Sequence, residues 1–306
     1  IFLIEITLRI VFSYNVQGIS KDLINKNISY RFNTPNLDYA KAFGVKIYTD
    51  QNGFRIKKNQ KFKNNKEDIL IIGGSVTFGP AIKVKDTFVG KLNSTNDYNV
   101  KNASVFGTTF ENNIKIIKNL KSKQNIKKIL ISFPLDDILS NNVDLSIAKV
   151  KTEEDFFNIL KKNKTINYIN SLIRTKSAAY VFIKGIISNP QENNYAHDIM
   201  LYENKQLLNQ LEMNLVELSS IIEKKKILFF SIPYAAQIKN SNCSNRDKSE
   251  KILKKIFDKY KYEIIFLQDN MCKNKNPIKF YLKNDPVHLT KKGHEFVFEN
   301  LQQSLN

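Results

Sequence analysis

Residues 68–79 read Asp-Ile-Leu-Ile-Ile-Gly-Gly-Ser-Val-Thr-Phe-Gly, an apolar run that stops abruptly in two glycines, a serine and a third glycine. The four successive apolar residues from Ile69 to Ile72 lack the in–out alternation of a strand with one wet face. They fit a parallel strand covered by helices on both sides. Gly73 and Gly74 then let the backbone turn sharply at the carboxyl end of that strand. This turn sets the Ser75 hydroxyl at the mouth of the sheet, where open α/β sheets bind their ligands. Ser75 is the candidate nucleophile.

The remaining chain repeats the strand–helix rhythm that such a strand requires. Apolar runs within 98–107, 128–133, 226–232 and 263–267 read as strands two to five. Helical periods fall at 86–92, on the face carrying Ile114, Ile117 and Leu120 with Glu111 near its start, at 198–223, at 250–260, and from Thr290, a capping residue, to the end. This alternation predicts an α/β fold: a three-layer α/β/α sandwich around a central parallel, flavodoxin-like sheet of about five strands. With 306 residues and 42% hydrophobic content, the chain can bury one main core and carry an appendage. Residues 1–47 read as a lead-in and 48–306 as the domain. The lead-in region, taken to residue 67, holds one short hairpin signalled by Asn52-Gly53. A helical insertion at about 140–200, with Phe156, Phe157, Ile159 and Leu160 and then the stretch 169–187, exceeds an ordinary crossover. It reads as a lid or flanking subdomain, with a membrane contact at 178–187 as the alternative.

Net charge narrows the partners. The formal charge is +19, yet only five of 48 basic residues are arginine, and the lysines are scattered among asparagines. Nucleic-acid readers concentrate arginine forks on one face, so no nucleic-acid partner is implied. Residues 1–13 are apolar with a helical period, and Glu5 and Arg9 are spaced to pair. The run is shorter than the roughly 20 residues of a spanning helix. Two readings stay open for it: the end of a membrane anchor, or an amphipathic helix packed on the domain. Cys243 and Cys272, the only cysteines, follow strands four and five. A disulfide between these neighbouring loops is geometrically allowed, and two free thiols are the alternative.

Four short segments carry the chemistry. Ser75, Gly107 and the Asp136-Asp137 pair follow strands one, two and three, so right-handed crossovers bring them to one edge of the sheet. Asp285-Pro-Val-His288 supplies an acid and a base on a single turn, the companions a serine needs to become nucleophilic. The serine turn is not a Gly-x-Ser-x-Gly elbow, because Thr77 holds the second glycine's place, and no Lys-Ser/Thr follows to make a P-loop. Two adjacent carboxylates point apart and have no third partner, so no metal is implied at Asp136 and Asp137. His294 reads as structural and His197 as solvated.

In this order the blocks resemble those of the SGNH, or GDSL-type, hydrolases. Gly73-Gly-Ser-Val-Thr-Phe-Gly79 is similar to that family's Gly-Asp-Ser block and Asn102-Ala-Ser-Val-Phe-Gly107 to its glycine block. Pro134-Leu-Asp-Asp137 is similar to its Gly-x-Asn-Asp block and Asp285-Pro-Val-His288 to its Asp-x-x-His block. The resemblance covers about 48–139 and 226–304. It implies Ser75 as nucleophile, His288 as general base, Asp285 as its orienter, and the N–H groups of Ser75 and Gly107 as oxyanion donors. Two positions depart from the pattern. Gly74 replaces an aspartate outside the triad, and Asp136 stands where the family's asparagine supplies the third oxyanion donor. An ionised carboxylate cannot donate and repels a developing oxyanion. The resemblance therefore implies a cofactor-free serine esterase of the SGNH type that removes O-acetyl or other short acyl groups from a carbohydrate or cell-surface glycan. Acyl transfer onto a glycan and a catalytically inactive binding or assembly module are its alternatives. Membrane-tethered relatives of this kind work outside the cytoplasm, so the resemblance implies an extracytoplasmic site, periplasmic or at the cell surface, with membrane association through the N-terminus, and a cytoplasmic site is the alternative.

Overall fold

The computed structural model describes residues 2–10, 16–63, 65–95, 98–121, 125–140, 164–239, 243 and 248–305. Its strands are β1 (Ala40–Ala42), β2 (Val45–Thr49), β3 (Arg55–Ile56), β4 (Asp68–Ile72), β5 (Asn99–Asn102), β6 (Ile126–Ser132), β7 (Ile227–Ser231) and β8 (Ile264–Phe266). They form one sheet in the order β1-β2-β3-β5-β4-β6-β7-β8. The run β5-β4-β6-β7-β8 is parallel throughout and has the flavodoxin-like order expected. Among the described residues the sheet has eight strands instead of the expected five or so, because β1, β2 and β3 extend the β5 edge as antiparallel strands. They are three, five and two residues long, too short to stand out as apolar runs. The boundary expected between 47 and 48 falls inside β2, so the end of the lead-in is part of the sheet.

Continuous apolar runs in the parallel strands follow from burial on both faces. Leu70, Ile72, Ile129, Ile131, Ile227 and Phe229 point into one cluster. Ile69, Ile71, Val100, Leu130, Leu228 and Phe230 point into the other. The helices are α1 (Phe2–Ile10), α2 (Ser75–Phe78), α3 (Phe88–Thr95), α4 (Phe110–Lys121), α5 (Lys164–Arg174), α6 (Ala178–Ser188), α7 (Pro190–Met200), α8 (Lys205–Ile221), α9 (Ala235–Lys239), α10 (Lys248–Lys259), α11 (Gln268–Cys272) and α12 (Lys291–Gln302). The apolar stripes of α4, α8 and α10 cover the first cluster, and those of α3 and α12 the second. Each fully buried Leu, Ile or Phe contributes about 1.5–3 kcal/mol. A charge placed at Ile71, which is fully buried, would cost more than that and open the sheet's centre.

The helix expected over 198–223 is interrupted. Helix α7 ends at Met200, a 3₁₀ turn spans Leu201–Glu203, and α8 begins afresh at Lys205. Asn204 is the cause: its side chain accepts from the N–H groups of Gln206 (2.9 Å) and Leu207 (3.3 Å). A short polar side chain gains more as an N-cap than inside a helix.

The insertion supplies α5, α6 and α7, while 141–163, with Phe156, Phe157, Ile159 and Leu160, lies outside the described residues. Helix α1 packs Leu8 against Ala178, Ala179 and Val181 at the start of α6. Glu5 accepts from the N–H groups of Ala178 (2.8 Å) and Ala179 (2.9 Å), and pairs with Arg9 as its spacing predicts. Burial opposes its charge, but those N–H groups, Arg9 and the Ser177 hydroxyl outweigh burial and hold the carboxyl down to about 2. Among the described residues no helix is long and apolar enough to cross a membrane. Cys243 and Cys272 are joined in a disulfide with their Cα atoms 5.5 Å apart, beside the second core cluster.

Candidate active site

The turn after β4 can be made only where a side chain is missing. A Cβ on Gly73 would lie 2.7 Å from the Ser132 Cβ at the end of neighbouring β6. The chain therefore passes close to β6 and enters α2, whose first residue is Ser75. The first N–H groups of a helix have no partner within it, so the Ser75 N–H is available to a ligand. Buried Arg55 fixes the far end of the turn by donating from Nη1 to the carbonyls of Phe78 and Gly79 (2.7 Å for the latter) and from Nη2 to Ile82 (2.5 Å). Burial pulls its guanidinium down to about 9, still charged at neutral pH.

The segment 285–288 folds over this edge and completes a triad. Ser75 Oγ lies 2.8 Å from His288 Nε2. His288 Nδ1 lies 2.9 Å from both carboxylate oxygens of Asp285. Asp285 Oδ1 also accepts from the N–H groups of Val287 (3.0 Å) and His288 (2.8 Å), so the four-residue spacing builds the acid's own donors. Asp285 is 2% exposed. Burial alone would raise its carboxyl, but the His288 charge and these hydrogen bonds outweigh it and hold it below the usual range. An ionised Asp285 keeps the proton on Nδ1 and leaves Nε2 as the acceptor for the Ser75 proton.

Gly107 sits beside the serine turn at φ +59°, in the left-handed region that glycine adopts without cost. Its N–H has no hydrogen-bond partner among the described residues. Asp136 and Asp137 lie on a short 3₁₀ turn, Leu135–Ile138. Asp137 lines the serine turn, its Oδ1 4.0 Å from the Cβ that Gly74 lacks, and its Oδ2 has no partner among the described residues. Burial first, and then the neighbouring Asp136 charge, push its carboxyl well up. Asp136 is partly buried and pushed up to about 6, by burial first and then by the charge of Asp198. Contact with the Tyr234 hydroxyl and the charge of His288 work the other way. Tyr234 in turn donates to Asp198 Oδ2 at 2.6 Å. Among the described residues no group of three His, Cys, Asp or Glu side chains is placed to hold a metal.

Several contributors escaped the sequence reading. The lead-in reaches the triad at two points. Gln17 Nε2 donates to Asp285 Oδ2 at 3.4 Å, and the Phe43 ring meets the His288 ring edge-on with centroids 5.0 Å apart. Phe43 sits at the tip of the β1–β2 hairpin with φ +48°, followed by Gly44 at +81°. A bulky aromatic in this region is strained, and such strain gathers at functional sites. The Phe43-Gly44 pair between apolar alternating residues was the signal available. From the insertion, Gln191 Nε2 donates to the Asp285 carbonyl at 3.1 Å, and Asp198 and Tyr234 join Asp136. His294 is buried and stacked on Phe88, and burial, Arg55 and His288 pull it down to about 3, so it is a neutral core residue. His197 is exposed and pairs with Asp198 at 2.8 Å.

No protein-family model matches the chain, and no curated protein matches it in sequence. Solved structures similar to it include a lipase/acylhydrolase from Enterococcus faecalis, 15% identical over 78% of this chain and 95% of that one, with a TM-score of 0.44. Others are a GDSL-like lipase from Bacteroides thetaiotaomicron (12% identity, 80% and 90% coverage, TM-score 0.39) and a catalytic mutant of an acetylxylan esterase from Geobacillus stearothermophilus (10%, 80% and 95%, TM-score 0.38). The fold follows from the strand order and register of this chain itself.

Proposed function

We propose that the chain is a serine ester hydrolase in which Ser75, His288 and Asp285 act as nucleophile, general base and orienter. The observation that carries this reading is the unbroken line from Ser75 Oγ through both nitrogens of His288 to the carboxylate of Asp285. As Ser75 Oγ bonds to the acyl carbon, its proton passes to His288 Nε2, and the oxyanion is met by the N–H groups of Ser75 and Gly107. Collapse expels the alcohol, which takes the proton from His288. Water then loses a proton to His288, attacks the acyl-enzyme and releases the carboxylic acid with Ser75 restored.

The substrate proposed is an O-acetyl or other short acyl ester on a carbohydrate or cell-surface glycan, outside the cytoplasm. Two features support that setting. The Cys243–Cys272 disulfide suits an oxidising compartment, and α1 exposes Leu3, Ile4, Ile6 and Ile10 for contact with a membrane surface. Resolution of the acyl-enzyme by a glycan hydroxyl in place of water would make the same machinery an acyltransferase. A second reading, an inactive binding or assembly module, is supported by Asp136, a carboxyl near His288 at the position where the sequence resemblance expects a neutral donor.

Release of acid from p-nitrophenyl acetate and from acetylated xylan separates the readings. The proposal expects turnover by the wild-type chain and none by Ser75→Ala. A folded wild-type protein without turnover on either ester contradicts it and leaves the module.

A further inference from the structure

Arg31, from the lead-in, lies against the oxyanion glycine. Its Nε donates to the carbonyl of Phe106, and its Nε, Nη2 and Cζ come within 3.5–3.6 Å of the Cβ position that Gly107 leaves empty. The Phe106 carbonyl and the Gly107 N–H belong to one planar peptide and point in opposite directions. Arg31 therefore grips one end of the peptide whose other end is the oxyanion donor. The residue is itself fastened: Asn112 on α4 accepts from the Arg31 N–H (2.8 Å) and donates to the Arg31 carbonyl (2.8 Å) and to Thr108 Oγ1 (2.9 Å). Among the described residues no carboxylate pairs with its guanidinium.

We propose that Arg31 is a positioning residue of the oxyanion site, holding and polarising the Phe106–Gly107 peptide so that the Gly107 N–H is aimed and strengthened as a donor. The inference rests on the hydrolase reading and adds to it a source of positive charge behind the hole. Two physical effects operate. A hydrogen bond to a carbonyl polarises the whole amide and strengthens its N–H as a donor, because bonds in a chain reinforce one another. A fixed cation whose geometry does not reorganise during the reaction stabilises charge that develops in the transition state. The effect matters more here than in a site with three neutral donors, because Asp136 supplies none while ionised. The lead-in thus reaches three parts of the machinery: Gln17 touches the acid, Phe43 the base and Arg31 the oxyanion donor's peptide.

The test pairs kinetics with a readout that needs no turnover. In protein labelled with ¹⁵N-glycine, the Gly107 amide reports hydrogen bonding at the preceding carbonyl. The inference expects Arg31→Gln to shift that resonance while the other glycines outside the loop stay in place, and Arg31→Lys to shift it less. On a short ester, Arg31→Gln should lower kcat by about 10- to 100-fold, below the loss for a deleted donor, with KM within about twofold, and Arg31→Lys should recover part of it. An unmoved Gly107 resonance in Arg31→Gln overturns the inference whatever the activity. So does an unchanged kcat in a wild-type background that turns over. A responsive Gly107 resonance in a wild-type protein that hydrolyses no ester supports the clamp and sinks the hydrolase reading instead.

Discussion

Asp285 and Asp136 both lie near the imidazole of His288, yet their surroundings push their carboxyls in opposite directions. Each is taken out of water, which favours the neutral acid. Asp285 receives two backbone N–H groups and the imidazole in return, and stays ionised. Asp136 lies beside the Tyr234 hydroxyl, whose proton goes to Asp198, faces the like charge of Asp198, and is pushed up to about 6. The difference lies in the supply of donors and not in depth, since a carboxylate's charge survives burial only where N–H groups replace the lost water. One aspartate is thereby fitted to orient a base. The other changes from a weak donor to a repelling charge as pH rises through about 6.

Removing the charge of the well-supplied aspartate should have the largest effect. Asp285→Asn keeps the shape but takes away the acid that fixes the His288 tautomer, and kcat should fall by about 10⁴-fold. A loss under about tenfold in steady-state kinetics would put the two aspartates on an equal footing and break the contrast. The opposite change at the poorly supplied aspartate should help. Asp136→Asn restores a neutral donor that does not titrate, and turnover at pH 7–8 should rise by about tenfold or more, with the alkaline decline above about 6 flattened. Unchanged or reduced turnover would mean that Asp136 is no impaired donor and holds substrate or the Tyr234–Asp198 cluster in place.

Stability offers a third comparison, with opposite signs at the two sites. The folded pKa of Asp136 is raised, so its contribution is fully present below the ordinary carboxylate range and is lost as pH climbs through about 6. Asp285 is lowered, so its contribution is present above the ordinary range and is lost as pH falls. Asp136→Asn should therefore stabilise the fold by about 1–2 kcal/mol at pH 8, allowing for its partial exposure, and by almost nothing at pH 4. Urea melts at the two pH values check this, and an equal gain at both would show that packing, not charge, is responsible. The smallest effect should come from Asp198→Asn. Without that neighbouring charge the Asp136 carboxyl is less raised, and the alkaline limb of the rate profile should move acidward by less than about one pH unit. An alkaline shift would reverse the assignment.

What could be read from the sequence divides along the same line. The serine turn, the Asp-x-x-His acid and base, and the parallel order of five strands are local patterns, written in runs of apolar residues and spacings of three or four. Their structure agrees with that reading. Asp198, 62 positions from Asp136 and inside an expected helix, is the charge that raises it, and no local pattern joins the two. Gln17 lies 268 residues from Asp285, and Arg31 75 residues from Phe106. Nothing in a two- or five-residue antiparallel strand advertises its partner, so β1 to β3 and the side chains they carry to the site emerge only when the sheet is assembled. The run of good helix formers around Asn204 concealed the break that its cap makes.

The account's central claim is that the Ser75 hydroxyl is activated by His288 and takes up an acyl group. Incubation of the whole chain with a fluorophosphonate, followed by intact-mass and peptide analysis, tests it most directly. The account predicts one adduct, on the peptide carrying Ser75, formed in the wild-type protein, abolished by Ser75→Ala and strongly slowed by His288→Ala. No adduct on a folded wild-type chain, or an adduct on another residue that persists in Ser75→Ala, would contradict it.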